Sequence, residues 1–228
     1  MAAAGRGRGA VVVADGDLPE RDALDAAWPG WAAGIDLVVA ADGGALGAER
    51  LGFSIDVVVG DGDSLGESAL ERLATAGVEV QRSPADKDES DTELAVLAAI
   101  ERGATSIVIV GALGGRRVDH ALANVALLAL RALGGRPCSI LDETARVRLL
   151  AGPGEMDIAG APGGMVSLLP LGDVDGVTTD GLAYPLNDER LPIGPARGLS
   201  NVRTASHSRV VVRSGRLLVV ESPATLSP

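Results

Sequence analysis

Val57-Val58-Val59-Gly60-Asp61-Gly62-Asp63-Ser64 sets a short β-branched run against an acidic turn broken by glycine. A run this short, bounded by turn residues, reads as a buried strand. The same arrangement occurs twice upstream. Ala10 to Ala14 ends at Asp15-Gly16-Asp17, and Leu37 to Ala41 ends at Asp42-Gly43-Gly44. A helical stretch from Leu18 to Trp31, interrupted at Pro29-Gly30, lies between those two. Unbroken apolar runs separated by helical segments predict parallel strands covered on both faces. In such sheets ligands bind outside the carboxyl edge. One Asp after a strand is ordinary turn chemistry, but Asp15, Asp42 and Asp61 follow three strands in succession.

Downstream, Glu67 to Ala76 reads as a helix stopped by Gly77, and Val78 to Gln81 as a strand. Ser90 and Glu93 match a capping box, with Leu94, Leu97, Ala98 and Ile100 at helical spacing behind them. Ile107 to Val110 is the next strand, followed by a glycine loop from Gly111. Asp119-His120 opens a helix whose predicted apolar face is Leu122, Val125, Leu128, Ala129 and Leu133. Ser139 to Leu141 is a further strand. After about Thr144 the pattern changes to short strands punctuated by Gly, Pro and Asp: Val147–Leu150, Met165–Leu169, Val174–Thr178, Ser206–Val212 and Arg216–Glu221. Arg209 to Val220 reads as a hairpin turning at Ser214-Gly215. The expected fold is α/β: a Rossmann-like, mostly parallel α/β/α domain over residues 1–144, then a small antiparallel β-sandwich over 145–228.

Composition narrows the function classes. An apolar fraction of 46% in 228 residues supports a sizeable core. A net charge of −11 argues against nucleic acid or an anionic membrane as partner. No apolar run approaches a membrane span of roughly 18–20 residues, and the Ala/Gly/Arg-rich start, Met1 to Gly9, leads into too short an apolar run for a signal peptide. A cytoplasmic protein with a frayed N-terminus is expected. The single cysteine, Cys138, suits a reducing compartment and reads as a core residue.

The chemistry concentrates between Gly60 and His120, in Gly60-Asp61-Gly62-Asp63-Ser64, Asp86-Lys87-Asp88-Glu89-Ser90-Asp91 and Gly111-Ala112-Leu113-Gly114-Gly115-Arg116-Arg117-Val118-Asp119-His120. Carboxylates, arginines and a glycine loop at one sheet edge suit a metal-bound polyphosphate. Lys87 is the only lysine against nineteen arginines. It is either part of a solvated charge cluster or a compact point charge for phosphate. Asp91, in a first helical turn, either stabilises that turn or serves the site. There is no G-x-x-x-x-G-K loop and no G-x-G-x-x-G after the first strand, where Asp15-Gly16-Asp17 stands instead. No Cys/His spacing fits zinc, and two histidines give little support to a Ser-His-Asp triad. A hard cation held by carboxylates, Mg²⁺ above all, is the natural choice.

In order and spacing these clusters resemble the thiamine pyrophosphokinase family. The resemblance rests on Asp42-Gly43-Gly44-Ala45, Gly60-Asp61-x-Asp63-Ser64, Asp86-Lys87-Asp88-x-Ser90-Asp91, and the glycine–arginine loop running into Asp119-His120 and Asn124. It continues through Val177 to Leu186 and Gly198-Leu199-Ser200-Asn201. It implies transfer of the pyrophosphoryl group of ATP to the hydroxyethyl oxygen of thiamine. It further implies Mg²⁺ ligation among Asp42, Asp61, Asp63 and Asp91, with Lys87 and Arg117 acting on phosphate oxygens. ATP contacts would come from Asp42, Gly43, Ser64, Asp88, Gly114, Gly115, Arg116, Asp119, His120 and Asn124, and thiamine contacts from Ser200 and Asn201. A homodimer is implied, each β domain helping to complete the neighbour's site. The loop carries one residue more than the family's common Gly-Gly-Arg-x-Asp-His spacing, so Arg116 and Arg117 compete for the phosphate role, and the helix start favours Arg117. The family's usual Glu after Ser-Asn is Val202 here, and no aromatic partner for thiamine stands out in the β half. Alternatives are pyrophosphoryl transfer to another small alcohol, such as a hydroxymethyl pterin, and a catalytically inactive nucleotide-binding regulatory module.

Overall fold

The computed structural model describes residues 7–84 and 86–223. Most of the start expected to fray thus lies outside the described residues. The chain divides into two compact units, residues 1–25 with 29–142 and residues 26–28 with 143–228.

The first unit is built on six parallel strands: β1 (Arg8–Val13), β2 (Ile35–Ala41), β3 (Val57–Gly60), β4 (Glu79–Arg82), β5 (Ala104–Val110) and β6 (Cys138–Leu141). Their spatial order is β6-β5-β1-β2-β3-β4, every neighbouring pair parallel. Val11, Val12, Val13, Val39, Val59 and Ile109 have no exposure, which is why these strands read as unbroken apolar runs. Strand order reverses at β1, which pairs with β2 on one side and β5 on the other. The carboxyl ends of β1 and β5 therefore flank a topological switch point.

Helices α1 (Arg21–Ala27), α2 (Gly44–Arg50), α3 (Glu67–Thr75), α4 (Asp91–Glu101) and α5 (Val118–Leu127) connect the strands. The first is much shorter than the predicted Leu18–Trp31. No expectation covered α2, whose two glycines have poor helix propensity. Gly44, Ala45, Gly47 and Ala48 are its buried residues, so small side chains let it pack closely. Of the predicted apolar face, Leu128 and Leu133 are buried, Val125 and Ala129 half-buried, and Leu122 alone fails. Leu122 of α5 is 67% exposed, and the buried positions are Asn124 and Leu127. The helix is turned so that Asn124 Nδ2 donates to the Ala112 carbonyl at 3.1 Å.

The second unit is a sandwich of two antiparallel sheets. One has the order β12 (Asn201–Val202), β9 (Met165–Pro170), β14 (Arg216–Glu221), β7 (Arg146–Ala151), and the other β11 (Glu189–Leu191), β10 (Val174–Asp180), β13 (His207–Val212), β8 (Gly154–Ala159). Leu150, Leu168, Leu217 and Val219 from the first meet Ile158, Val177, Val210 and Val212 from the second in one core. The predicted hairpin at Ser214-Gly215 does not form. β13 pairs with β8 and β10, whereas β14 pairs with β7 and β9. The turn carries the chain from one sheet to the other, because both strands need their apolar rows in the same core.

That core contains a charge. Glu221 lies on β14 in the row of Leu217 and Val219 and is fully buried. Arg146, Arg148 and Arg203 reach its carboxylate at 2.8, 2.7 and 2.8 Å. Burial pushes the Glu221 carboxyl up, but these guanidiniums outweigh it and hold the group below its ordinary range.

Candidate active site

Asp42 ends β2 with φ 43, a left-handed conformation that Asp tolerates better than most side chains. Its side chain turns inward, where its two carboxylate oxygens accept the N–H groups of Ser64 and Leu65 at 3.1 and 3.2 Å. The residue is only 3% exposed. Burial is the largest influence on its acidity, and the neighbouring Asp63 adds to it. Together they outweigh the two N–H donors and push the carboxyl up to about 6.

The loop after β3 reverses at Gly62, whose φ of 82 requires glycine. Asp61 Oδ1 accepts the Asp63 N–H at 3.1 Å, and Ser64 Oγ donates to Asp63 Oδ1 at 3.2 Å. Asp63 is exposed, and its hydrogen bonds with the Asp42 side chain and Ser64 hold it below the usual carboxylate range.

The third element is the start of α4. Ser90 is its N-cap and accepts the Glu93 N–H at 3.1 Å, the first half of the predicted capping box. Asp91 occupies the first turn. Lys87 Nζ lies 2.7 Å from Asp91 Oδ1, with its side chain only 11% exposed. Burial works against the Lys87 charge, yet Asp91, with Asp61 and Asp42 further off, outweighs it and raises the ammonium above its ordinary value.

These loops converge. One carboxylate oxygen each from Asp42, Asp61 and Asp91 lie within 4.8 Å of one another, drawn from three elements separate in sequence. Lys87 belongs with them through Asp91, and Asp63 and Ser64 through Asp42 and Asp61. Asp88 is exposed on the approach to α4.

The glycine loop is held from two sides. Asn124 binds the Ala112 carbonyl, and Gly115 N–H donates to Asp17 Oδ2 at 2.8 Å. Arg117 is the residue before α5 and pairs with Asp119, both side chains being largely exposed. Arg116 and His120 are exposed as well. The side-chain nitrogen of Asn124 is thus committed to the loop backbone.

Asn201, in the second unit, has a comparable commitment. It is 4% exposed, and its side chain clamps Tyr184 on both backbone sides: Oδ1 accepts the Tyr184 N–H at 3.0 Å and Nδ2 donates to the Tyr184 carbonyl at 2.7 Å. Ser200 is exposed with φ 57, and its N–H donates to Ser167 Oγ. Tyr184 itself is 61% exposed and is the only aromatic residue beyond position 53. Sequence reasoning passed over it, although it stood inside a quoted motif. Its isolation as an aromatic was the available signal.

Residues 31–134 match the model of the thiamin pyrophosphokinase catalytic domain, and residues 155–219 that of the thiamin pyrophosphokinase vitamin B1 binding domain. A thiamine pyrophosphokinase of Bacillus subtilis (strain 168) is 30% identical over 165 residues, covering 72% of this chain and 76% of the relative.

The chain belongs to the thiamin pyrophosphokinase family.

Among solved structures, the thiamine pyrophosphokinase of Bacillus subtilis superposes with TM-score 0.80 at 26% identity, covering 95% of this chain and 99% of that one. That of Geobacillus thermodenitrificans gives 0.80 at 27% identity, covering 96% and 100%. A mostly parallel α/β unit followed by an antiparallel one is therefore the architecture of thiamin pyrophosphokinases, and the chain is a transferase with thiamine pyrophosphokinase function. No helix among the described residues is long and apolar enough to cross a membrane.

Proposed function

We propose that Asp42, Asp61 and Asp91, with Asp63 beside them, form the acidic centre at which ATP and thiamine react. The observation that carries this reading is the convergence of three carboxylates, from β2, the β3–α3 loop and α4, within 4.8 Å and next to Lys87. The donor set is all oxygen and acidic, which fits a hard divalent cation, and Mg²⁺ is the fitting ion. Asp42 must lose its proton to ligate. Mg²⁺ bound there would neutralise charge on the phosphate oxygens.

The thiamine hydroxyethyl oxygen attacks the β-phosphorus. The bond from that phosphorus to the α–β bridging oxygen breaks, and AMP leaves with the bridge. Positioning and charge dominate such a step. Lys87 supplies a compact positive charge from a side chain already shielded from water. Arg117, with Arg116 beside it, reaches the phosphates from the glycine loop, and Asp119 orients it. Gly43, Ser64, Asp88, Gly114, Gly115, His120 and Asn124 shape the nucleotide side. One carboxylate of the cluster takes the hydroxyl proton as the new bond to phosphorus forms.

On the thiamine side, Ser200 offers an exposed hydroxyl, and Asn201 acts by fixing Tyr184, whose exposed ring suits stacking on a cationic heteroaromatic ring. The enzyme works as a homodimer in the cytoplasm. Val118 and Leu122, one helical turn apart on α5 and 71% and 67% exposed, support an apolar contact with a second copy.

Incubation with thiamine and Mg-ATP, followed by mass analysis, should give AMP and thiamine diphosphate, and a chelator should stop it. Turnover undiminished in chelator removes Mg²⁺ from this reading. Light scattering that finds an active 23.0 kDa monomer removes the dimer.

A further inference from the structure

The loop after β1 enters the site described above only through the Asp17 contact with Gly115. Asp15-Gly16-Asp17 nonetheless lies against two loops of the nucleotide side. Gly16 N–H donates to the Gly111 carbonyl at 2.9 Å. A Cβ on Gly16 would strike that carbonyl and stand 2.7 Å from the Gly114 carbonyl. On the other flank, a Cβ on Gly43 would lie 2.5 Å from the Asp15 carboxylate carbon. At Gly16 the backbones approach so closely that only glycine fits, whereas at Gly43 the neighbour is the Asp15 side chain.

Asp17 makes the directed contact. Its Oδ2 accepts the Gly115 N–H at 2.8 Å, 98 positions away in sequence. Its own Cβ would stand 2.5 Å from a Cβ on Gly114, so the side chain lies flat against the loop. Gly115 has φ 109, a conformation that glycine adopts and other residues rarely do. A carboxylate thus holds one backbone N–H of the loop two residues before Arg117. Loop N–H groups of this kind otherwise serve phosphate oxygens, and here one is committed to the protein.

We propose that Asp17 is a positioning residue for the nucleotide half of the reaction: by fixing Gly115 it sets the shape of the Gly111–Arg117 loop from which Arg116 and Arg117 reach ATP. The proposal rests on the assignment of that loop to the phosphates made above. It places the control of ATP affinity partly in a strand-end aspartate that touches neither substrate.

The test compares the wild-type chain with Asp17→Ala and Asp17→Asn. Asn keeps an oxygen that can accept the Gly115 N–H and removes only the charge. KM for ATP, KM for thiamine, turnover and Tm are measured. Binding of α,β-methylene-ATP, which cannot be cleaved at the reacting bond, is followed by calorimetry. Asp17→Ala should raise KM for ATP and weaken the analogue by about tenfold, the scale of one hydrogen bond to a charged acceptor. KM for thiamine and Tm should stay near wild type, and Asp17→Asn should recover most of the affinity. Wild-type affinity for the analogue in Asp17→Ala overturns the proposal. So does a parallel rise of both KM values with a fallen Tm, and so does failure of Asn to rescue. A wild-type chain that makes no thiamine diphosphate strikes the site assignment instead, before any variant is compared.

Discussion

Asp42 in the first unit and Glu221 in the second are both acidic residues removed from water, and the protein treats them in opposite ways. Burial, with an acidic neighbour in Asp63, pushes the Asp42 carboxyl up to about 6 in spite of two backbone N–H donors. Glu221 receives three arginines and gives its proton up more readily than an ordinary glutamic acid. A buried charge left short of partners is costly and persists where chemistry needs it, whereas one enclosed by partners serves the fold. On this criterion the β-strand cluster around Glu221 is structural, and the cluster around Asp42 fits the functional role proposed above.

The largest expected effect comes from breaking the structural member. Glu221→Gln removes the negative charge and leaves three guanidiniums together in the sandwich. Stripping one partner from a buried ion group costs about 3–5 kcal/mol, or roughly 10 °C in a chain of this size. Thermal and urea unfolding measure it. A Tm within about 2 °C of wild type would mean that solvent already reaches the arginines.

Next come the members proposed as functional. Asp61→Asn and Asp91→Asn should each lower turnover by at least about tenfold, near 1.4 kcal/mol of barrier, with Tm almost unmoved in Asp61→Asn and lowered in Asp91→Asn, which weakens the Lys87 pair. Added Mg²⁺ should recover part of the loss. Glu101→Gln, exposed at the end of α4, is the control. Asp173 is unsuitable as one, because it pairs with Arg190 and accepts the Ile193 N–H. Unchanged rates in both site variants would make the acidic loops ordinary turns and caps.

The smallest effect sharpens the contrast by pH. The folded pKa of Asp42, about 6, lies above its reference value of 3.8, so the folded chain holds the proton more tightly than the unfolded one. Without added metal, stability should therefore fall as pH rises from 3.8 to about 6, relative to Asp42→Asn, and the difference should level off above that window. Melting curves across pH 3.5–8 follow it, though the shape near the lower end will include other carboxylates. A wild-type-minus-variant difference that is flat with pH would place Asp42 in ordinary solvent.

Much of the first unit was legible because its strands are buried on both faces and each ends in a turn with its own chemistry. Asp42, Asp61 and Asp91 could be nominated as strand-end and helix-start residues, but their convergence depends on β2 and β3 lying side by side with α4 beyond them. Helix α2 was hidden by its glycines, and the exposed side of α5 by an amphipathic pattern in which Leu122 looked like core. The second unit was harder to read. Short strands such as β8 and β12 carry little periodicity, and a turn sequence such as Ser214-Gly215 does not say whether its strands share a sheet. Glu221 looked like the polar end of a strand, because its three partners lie 18, 73 and 75 positions away. Asn201 was noticed as a motif residue, but its clamp on Tyr184 requires the fold.

The passage of the chain from β13 in one sheet to β14 in the other also bears on how the second unit assembles. Neighbouring strands cannot zip together there as a local nucleus. β14 must find β7, with Arg146 opposite Glu221, 75 positions apart in sequence, while β13 finds β8. Loop-closure entropy is spent before these long-range pairings return any enthalpy. The parallel sheet meets the same difficulty at its centre, where Arg8 of β1 pairs beside Ala104 of β5. The half of the molecule carrying Ser200, Asn201 and Tyr184 thus takes its shape from pairings far apart in sequence and from no local strand pair at that turn.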